Sequence, residues 1–210
     1  MHEDLVISRT KAPVHNDGLV RAIDNPDDLS VISVNDVEAV IWRRPIPSSV
    51  SSLSSALPDH EVENGRFQVK PTEIGDRISS LFSMWGWPRD DARRWIEDDV
   101  QALAFRVSRI LSAPRLLLRV ELVRDDACRK FHRDTVKARL ICTYCGPGTE
   151  YGLSEGGDQP DRVETVPTGC PIMLKGRLWS GYPERAVLHR SPPIEKASAS
   201  RLVIVLNETP

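Results

Sequence analysis

Residues 116–145 read LLLRVELVRDDACRKFHRDTVKARLICTYC, and this stretch decides the fold class. It holds two β-type runs, at 116–123 and 138–144, with no helical pattern between them. Four more short β-type runs follow, at 162–166, 172–174, 186–189 and 202–206. Consecutive strands without intervening helices pair antiparallel, so the pattern predicts an antiparallel sandwich or barrel and argues against a doubly wound parallel sheet.

Two helices are predicted on the N-terminal side of these strands. The longer spans 87–113, where Pro88 suits a first helical turn, Pro114 ends the helix, and apolar residues recur every three or four positions. The shorter spans 72–84 and carries the same kind of apolar stripe. Because such a stripe is buried against another element, we expect the long helix to pack on the sheet.

The first 47 residues show little periodicity, and AVIW at 39–42 is the best strand candidate among them. Six serines within 48–55 are typical of a flexible connector or the start of a helix, and mark a soft boundary. The sequence therefore predicts an N-terminal extension with a short strand (1–47), a helical buttress (48–114) and a β-rich core (115–210). We expect all three to form one compact domain.

The composition excludes several classes of function. Lysine and arginine number 28 against 30 aspartate and glutamate, a net charge of -2, so no basic footprint for nucleic acid is expected. Arginine interrupts the longest apolar stretches well before the roughly 20 residues that a membrane helix requires. The acidic start of the chain lacks the features of a secretory signal, which predicts a cytoplasmic location. Four cysteines are too few for a disulfide scaffold.

Three side chains have the types and spacing of a metal site. In an extended segment residues i and i+2 project to the same side, so His132 and Asp134 can converge on one ion. His189, at the end of a late β-type run, can supply a third ligand. Two imidazoles and one carboxylate on one face of a metal leave the opposite positions open, as non-haem Fe(II) requires for a cosubstrate and dioxygen.

Arg201 extends this pattern, because it follows His189 by twelve residues at the start of the last β-type run. A guanidinium group is a planar fork that can hold a carboxylate through two parallel hydrogen bonds. Arg201 is therefore the candidate to bind the distal carboxylate of 2-oxoglutarate while the keto acid end chelates iron.

The order His-x-Asp, His, Arg over residues 115–207 resembles the Fe(II)- and 2-oxoglutarate-dependent oxygenases. The chain more closely resembles a bacterial family of unknown function, DUF1826, and this resemblance covers nearly its whole length. It is carried by IWRRP at 41–45, the segment from Cys128 to His132, RLICTYCGPGTE at 139–150 and LHRSP at 188–192. DUF1826 implies no settled activity.

The resemblance to the oxygenases implies an α+β fold, in which N-terminal helices buttress a double-stranded β-helix, the jelly-roll, cupin-like barrel. It also implies that His132, Asp134 and His189 ligate iron and that Arg201 holds 2-oxoglutarate. Arg139 is a second candidate for a carboxylate contact, since it lies on the strand after the first two ligands. The expected activity is that of a dioxygenase acting on a small-molecule or peptide substrate.

Other interpretations of the same residues remain open. His132 can be a surface histidine paired with Asp134, and the barrel can have kept its shape without its chemistry. A non-enzymatic barrel for metal sensing, storage or delivery is the main alternative, with zinc held by the same three ligands or by cysteines. For the cysteine version, Cys142-x-x-Cys145 has zinc-ligand spacing, and Cys128 and Cys170 can complete four thiolates, although buried free cysteines are commoner in a strand.

The segment 146–160 contains five glycines and two prolines and is predicted to be a long loop, the candidate lid of the site. It includes GLSEG at 152–156, which fits the G-x-S-x-G pattern of a hydrolase, with Asp158 or Asp161 and His189 following. That motif requires a strand before the serine and a helix directly after it. Since GGDQP at 156–160 cannot start such a helix, the sequence argues against a hydrolase.

Overall fold

The computed structural model describes residues 5–6, 18–55, 57–125, 128–179, 185–194 and 200–209. The helices in these ranges are α1 (Ser48–Ser51), α2 (Ile74–Met84) and α3 (Asp91–Leu111), with 3₁₀ turns at Pro26–Ser33, Leu53–Ser55 and Pro71–Glu73. The strands are β1 (Leu5–Val6), β2 (Val20–Ile23), β3 (Ala39–Trp42), β4 (Ile46–Pro47), β5 (Gly65–Val69), β6 (Leu116–Val123), β7 (Ala138–Cys145), β8 (Glu150–Ser154), β9 (Glu164–Thr165), β10 (Ile172–Lys175), β11 (Ala186–Arg190) and β12 (Arg201–Glu208).

A seven-stranded sheet with the order β2-β3-β10-β7-β12-β6-β5 forms the body of the fold. Its neighbours pair antiparallel except β2 and β3, which are parallel. A three-stranded sheet, β11-β8-β9, is formed separately, and β1 pairs with β4. The mixed helix and antiparallel-sheet architecture agrees with the predicted α+β class.

The central strand β12 shows how two cores arise from one strand. Its side chains alternate between the two faces of the sheet, as the pleat requires. Leu202, Ile204 and Leu206 are buried in one core with residues of α2 and α3. Val203 and Val205 belong to a second core that includes residues of the three-stranded sheet. The space between the two sheets therefore begins at the odd-numbered face of β12.

Helix α3 packs on the large sheet as predicted, but it begins four residues later than the sequence suggested. The side chain of Asp90 accepts a 2.7 Å hydrogen bond from the backbone N–H of Arg93 and thereby caps the helix. Pro88 accordingly lies outside it. At the other end Ser112 adopts a left-handed conformation with φ of 51°, which ends the helix before Pro114. None of the helices in the described ranges has the length and apolarity to cross a membrane.

A buried ion pair connects α3 to the sheet. Both terminal nitrogens of Arg44 donate to the carboxylate of Asp99, and the hydroxyl of Tyr144 donates to the same carboxylate at 2.5 Å. The guanidinium of Arg44 also lies over the rings of Trp42 and Trp95. Arg44 belongs to the IWRRP segment, so this part of the sequence serves the packing of helix on sheet.

The prediction of a continuous loop over 146–160 is wrong, because residues 150–154 form β8 and pair with β11. Gly152 suggested a loop, but here it permits close packing: a Cβ at this position would clash with the carbonyl oxygen of Arg162. The candidate lid is thus divided by a strand of the small sheet. The division of the chain at 47/48 and 114/115 stays a prediction.

Candidate metal centre

The backbone brings His132 and His189 together. His132 follows β6 outside any regular strand, whereas His189 lies on β11 of the small sheet. The backbone N–H of His132 donates to the carbonyl of His189 at 3.1 Å, and the reverse bond measures 3.0 Å. The two imidazole rings lie with their centroids 4.5 Å apart. This short antiparallel bridge fixes the positions of both side chains.

Asp134 completes a group of three. One ligand atom from each of His132, Asp134 and His189 lies within 4.8 Å of the other two. Oδ1 of Asp134 is 3.5 Å from Nε2 of His132, and Oδ2 is 3.2 Å from Nε2 of His189. Within the described ranges this is the one group of three or more histidine, cysteine or acidic side chains close enough to share an ion.

The donor set fits a divalent cation. Oδ2 of Asp134 is buried and makes no hydrogen bond of good geometry, in spite of its proximity to His189. Nδ1 of His132 is 2.9 Å from the backbone carbonyl of Lys130, so the proton belongs on Nδ1 and the lone pair on Nε2. A histidine ligand is normally oriented by this kind of bond from its second ring nitrogen.

The three side chains shift one another's protonation. A hydrogen bond to Asp134 raises the pKa of His132. Burial lowers the pKa of His189 and thus favours its neutral form. Burial alone would raise the pKa of Asp134, but the proximity of both histidines and the charge of Arg139 hold it well below its usual range. Asp134 is therefore ionised at neutral pH.

Arg139 lies beside the group. One of its terminal nitrogens is 2.5 Å from Oδ1 of Asp134 and the other is 3.4 Å from Oδ1 of Asn207. Its Nε is buried without a hydrogen-bond partner. The structure thus pairs Arg139 with Asp134, and a contact of Arg139 with the carboxylate of a cosubstrate stays a prediction.

A cavity of about 610 Å³ opens between the two sheets, with His132 and His189 in its wall. Arg201 lines the same cavity and is 3% exposed. Its nitrogens donate to the carbonyl of Pro147 at 2.7 Å, to Oγ of Ser191 at 2.5 Å and to Oγ1 of Thr143 at 3.2 Å.

Arg201 has no carboxylate within ion-pair distance among the described residues. Burial lowers its pKa to about 10, and the more distant Glu121 and Glu150 offset this only in part. A buried guanidinium held by neutral oxygens is costly unless an anion accompanies it. Arg201, which the sequence predicts to bind a carboxylate, is thus a buried cation with no carboxylate counter-ion in the described ranges.

Two side chains of the cavity wall escaped the sequence analysis, Arg119 and Glu121 on β6. They form an ion pair in which Nε of Arg119 donates to Oε1 of Glu121 at 2.9 Å. The signal was available, because both are charged residues at alternate positions of the apolar run LLLRVELV. Alternation alone did not show that this face borders a cavity.

Cys128 also lines the cavity, with Sγ 3.8 Å from Nε2 of His132. Cys142, Cys145 and Cys170 are buried, and no four-thiolate site is formed among the described residues. Burial raises the pKa of Cys142 to about 12, so this residue behaves as a core side chain.

The hydrolase motif is not assembled. Ser154 ends β8 and is buried, with its hydroxyl 2.5 Å from the carbonyl of Gly157. No helix follows it before β9.

The sequence as a whole matches one protein family, over residues 23–207. The chain belongs to the DUF1826 family, described as a protein of unknown function. The match includes all five residues proposed above for metal and cosubstrate. Among curated proteins, none matches this DUF1826 chain.

Solved structures show what this DUF1826 member resembles in fold. The dioxygenase for auxin oxidation 1 from Arabidopsis thaliana, solved in a complex with 2-oxoglutarate, superposes with a TM-score of 0.52 at 8% identity, covering 91% of this chain and 92% of that one. A prolyl-4-hydroxylase from Pseudomonas putida gives a TM-score of 0.46 at 9% identity, covering 89% and 100%. The likeness to the Arabidopsis enzyme confirms the double-stranded β-helix fold, and at this identity it shows the fold alone.

Proposed function

We propose that this protein is an Fe(II)- and 2-oxoglutarate-dependent oxygenase that acts on a small molecule or peptide. The observation that carries the proposal is the convergence of His132, Asp134 and His189 beside one cavity, in whose wall the buried guanidinium of Arg201 lacks a carboxylate partner among the described residues. The fold of the oxygenases supports it, but fold alone does not establish activity.

In this proposal each side chain has a separate task. Nε2 of both histidines and the carboxylate of Asp134 would hold the metal, and three protein ligands would leave coordination positions for a cosubstrate. Bound Fe(II) supplies the redox chemistry, in which dioxygen and 2-oxoglutarate give succinate, carbon dioxide and a hydroxylated substrate. Arg201 binds the distal carboxylate of 2-oxoglutarate, and Ser191 and Thr143 keep its guanidinium in place.

Part of the cavity wall is apolar. Ile141, Val203 and Val205 lie side by side on β7 and β12 and line the cavity next to the charged groups. A water-poor wall strengthens the attraction between a guanidinium and a carboxylate, because the local dielectric constant is lower than in bulk water. The same wall offers a surface for the apolar part of a substrate.

Anaerobic titration of the purified protein with Fe(II) and 2-oxoglutarate tests the proposal. We expect the weak visible charge-transfer band of the metal-bound keto acid, and we expect Arg201→Ala to lose it. Arg124→Ala is the matched control, since Arg124 also lines the cavity but donates to the backbone carbonyls of Pro58 and His60. Absence of the band in folded, Fe(II)-loaded protein would overturn the oxygenase proposal.

A second candidate is a non-enzymatic zinc-binding barrel, and Cys128 favours it. Its thiol is 3.8 Å from Nε2 of His132, and a thiolate together with imidazole and carboxylate ligands suits zinc. A structural zinc site is closed by four protein ligands, whereas the oxygenase leaves positions open. Cys128→Ser separates the two: zinc affinity falls strongly if Cys128 is a ligand, whereas the Fe(II) and 2-oxoglutarate band is retained if it is not.

A further inference from the structure

Three arginines lie along one face of the large sheet. Arg66 on β5 is directly opposite Arg119 on β6, so the two side chains project to the same face. Arg119 is opposite Val205 on β12, whose other neighbour is Ile141 of β7. Arg139 is two residues before Ile141 and therefore projects to this same face. The row runs from the exposed edge strand to the carboxylate of Asp134.

The arrangement of Arg66, Arg119 and Arg139 is destabilising in the unliganded protein. Like charges directly opposite one another in a sheet are destabilising, as for Arg66 and Arg119. In addition, Nε of Arg139 is buried with no hydrogen-bond acceptor. The ion pairs with Asp134 and Glu121 neutralise part of the row and leave this donor unused.

The lining of the cavity is rich in arginine. Arg119, Arg124, Arg139, Arg190 and Arg201 line it, together with three acidic residues, Glu61, Glu121 and Asp125. A cleft lined by an excess of guanidinium groups favours a ligand that carries negative charge.

We propose that the substrate is a carboxylate whose charged group is held by Arg119 and Arg139 while the rest of the molecule extends along the cavity wall toward the metal. This inference rests on the proposed function and names its substrate class. Two guanidinium groups suit a planar oxyanion better than a single amine does, since each presents paired N–H donors. Arg66 attracts the anion to the edge of the cavity.

Arg139 alone can be explained by its contact with Asp134, but that contact leaves Arg119 unexplained. The side chain of Arg119 is 29% exposed and pairs with Glu121, which is not one of the three proposed ligands. A purely structural Arg119–Glu121 pair has no need of Arg66 opposite it. The variant that tests the inference is therefore Arg119→Gln, which leaves the metal group intact.

The probe is a set of three monocarboxylates of increasing size, namely acetate, benzoate and 3-phenylpropanoate, each compared with its primary amide. The protein is loaded with Zn(II) and 2-oxoglutarate, because zinc does not support turnover, and binding is measured by calorimetry. We expect at least one acid to bind about tenfold or more tightly than its amide, since hydrogen bonds to charged groups are the stronger ones.

In Arg119→Gln we expect the ratio of acid affinity to amide affinity to fall by about tenfold or more. In Arg119→Lys the fall should be smaller, because the charge is kept. Arg77→Gln, a change of an exposed arginine on α2, should leave the ratio unchanged. Binding of 2-oxoglutarate itself should be unaffected by Arg119→Gln and lost in Arg201→Ala.

Three results would overturn the inference while leaving the proposed function standing. They are equal binding of acids and amides throughout the set, an unchanged preference in Arg119→Gln, and loss of 2-oxoglutarate binding in Arg119→Gln. Failure of the unsubstituted protein to bind 2-oxoglutarate in the presence of metal would instead overturn the proposed function.

Discussion

His132 and His189 exchange a pair of backbone hydrogen bonds, and their imidazole rings lie 4.5 Å apart as a result. These two bonds hold His132, which lies outside any regular strand, against strand β11. A metal site built on such a bridge is pre-organised, so little conformational entropy is lost when an ion binds.

Removal of one ligand should abolish tight metal binding. We expect His189→Ala to lower the affinity for Fe(II) or Zn(II) by more than the 10- to 100-fold typical for loss of a supporting contact, because a direct ligand is lost. Metal content after dialysis against a weak chelator measures this. His60→Ala is the control, since His60 is exposed and outside the cavity lining; equal losses in both variants would contradict a site at His189.

Metal binding should stabilise the fold through Asp134. At a free metal concentration of 100 times Kd, linkage gives about 2.7 kcal/mol, or roughly 5–10 °C in Tm for a domain of this size. In Asp134→Asn we expect most of this shift to vanish, because a neutral amide is a poor ligand for a hard cation. Thermal unfolding with and without Zn(II) measures the difference, and an undiminished shift in the variant would assign the ion to another site.

Metal affinity should fall as the pH is lowered, and the imidazoles should set the midpoint. Both histidines must be neutral to bind. The pKa of His132 is raised by its hydrogen bond to Asp134, so its protonation begins to compete with metal above its ordinary value of about 6.5. Asp134 stays ionised throughout, since its pKa is held low. Calorimetric titrations between pH 8 and 5.5 test this; a pH-independent affinity would contradict it.

The ion pair between Arg44 and Asp99 should matter for stability. Asp99→Ala leaves a buried guanidinium without its carboxylate, and breaking a buried pair on one side costs about 3–5 kcal/mol. Urea denaturation measures this, with Asp98→Ala as the matched control because Asp98 is exposed on the same helix. A loss in Asp99→Ala no larger than in the control would show that the pair is not stabilising.

Cysteine reactivity should distinguish the cavity from the core. Iodoacetamide at pH 8 should modify Cys128, which is exposed, and spare Cys142, whose pKa is raised to about 12 by burial. Mass spectrometry of the native protein measures both sites, and unfolding in urea should make both reactive. Modification of Cys142 in the native state would contradict its placement in the core.

The sequence predicted the parts of this fold that have strong local patterns. Helix α3 and strands β6 and β7 were found because their apolar residues recur with the correct period. The histidines and Asp134 were found because the chain has only five histidines. The spacing of His132 and Asp134 also suits one side of an extended segment, and His189 lies near the end of a late strand. Their role as ligands, and that of Arg139 and Arg201, stays a prediction.

What the sequence did not predict depends on contacts between distant residues. Strand β5, GRFQV, alternates polar and apolar residues over only five positions, which is too short a pattern to identify a strand without its partner β6. Strand β8 was hidden by Gly152, whose missing side chain serves close approach to Arg162. The cavity position of Arg119 follows from the register of β6 with β12, which no local pattern specifies.

The bridge between His132 and His189 also has a mechanical consequence. The strands from β7 to β10 all lie between these two residues in the chain, and an ion shared by His132, Asp134 and His189 closes that long loop with a coordinate link. Separation of the small sheet from the large one then requires a ligand to leave the ion. Hydrogen exchange in β8 and β11 should therefore slow when the ion is present. Binding of the metal ion and closure of the barrel are then coupled.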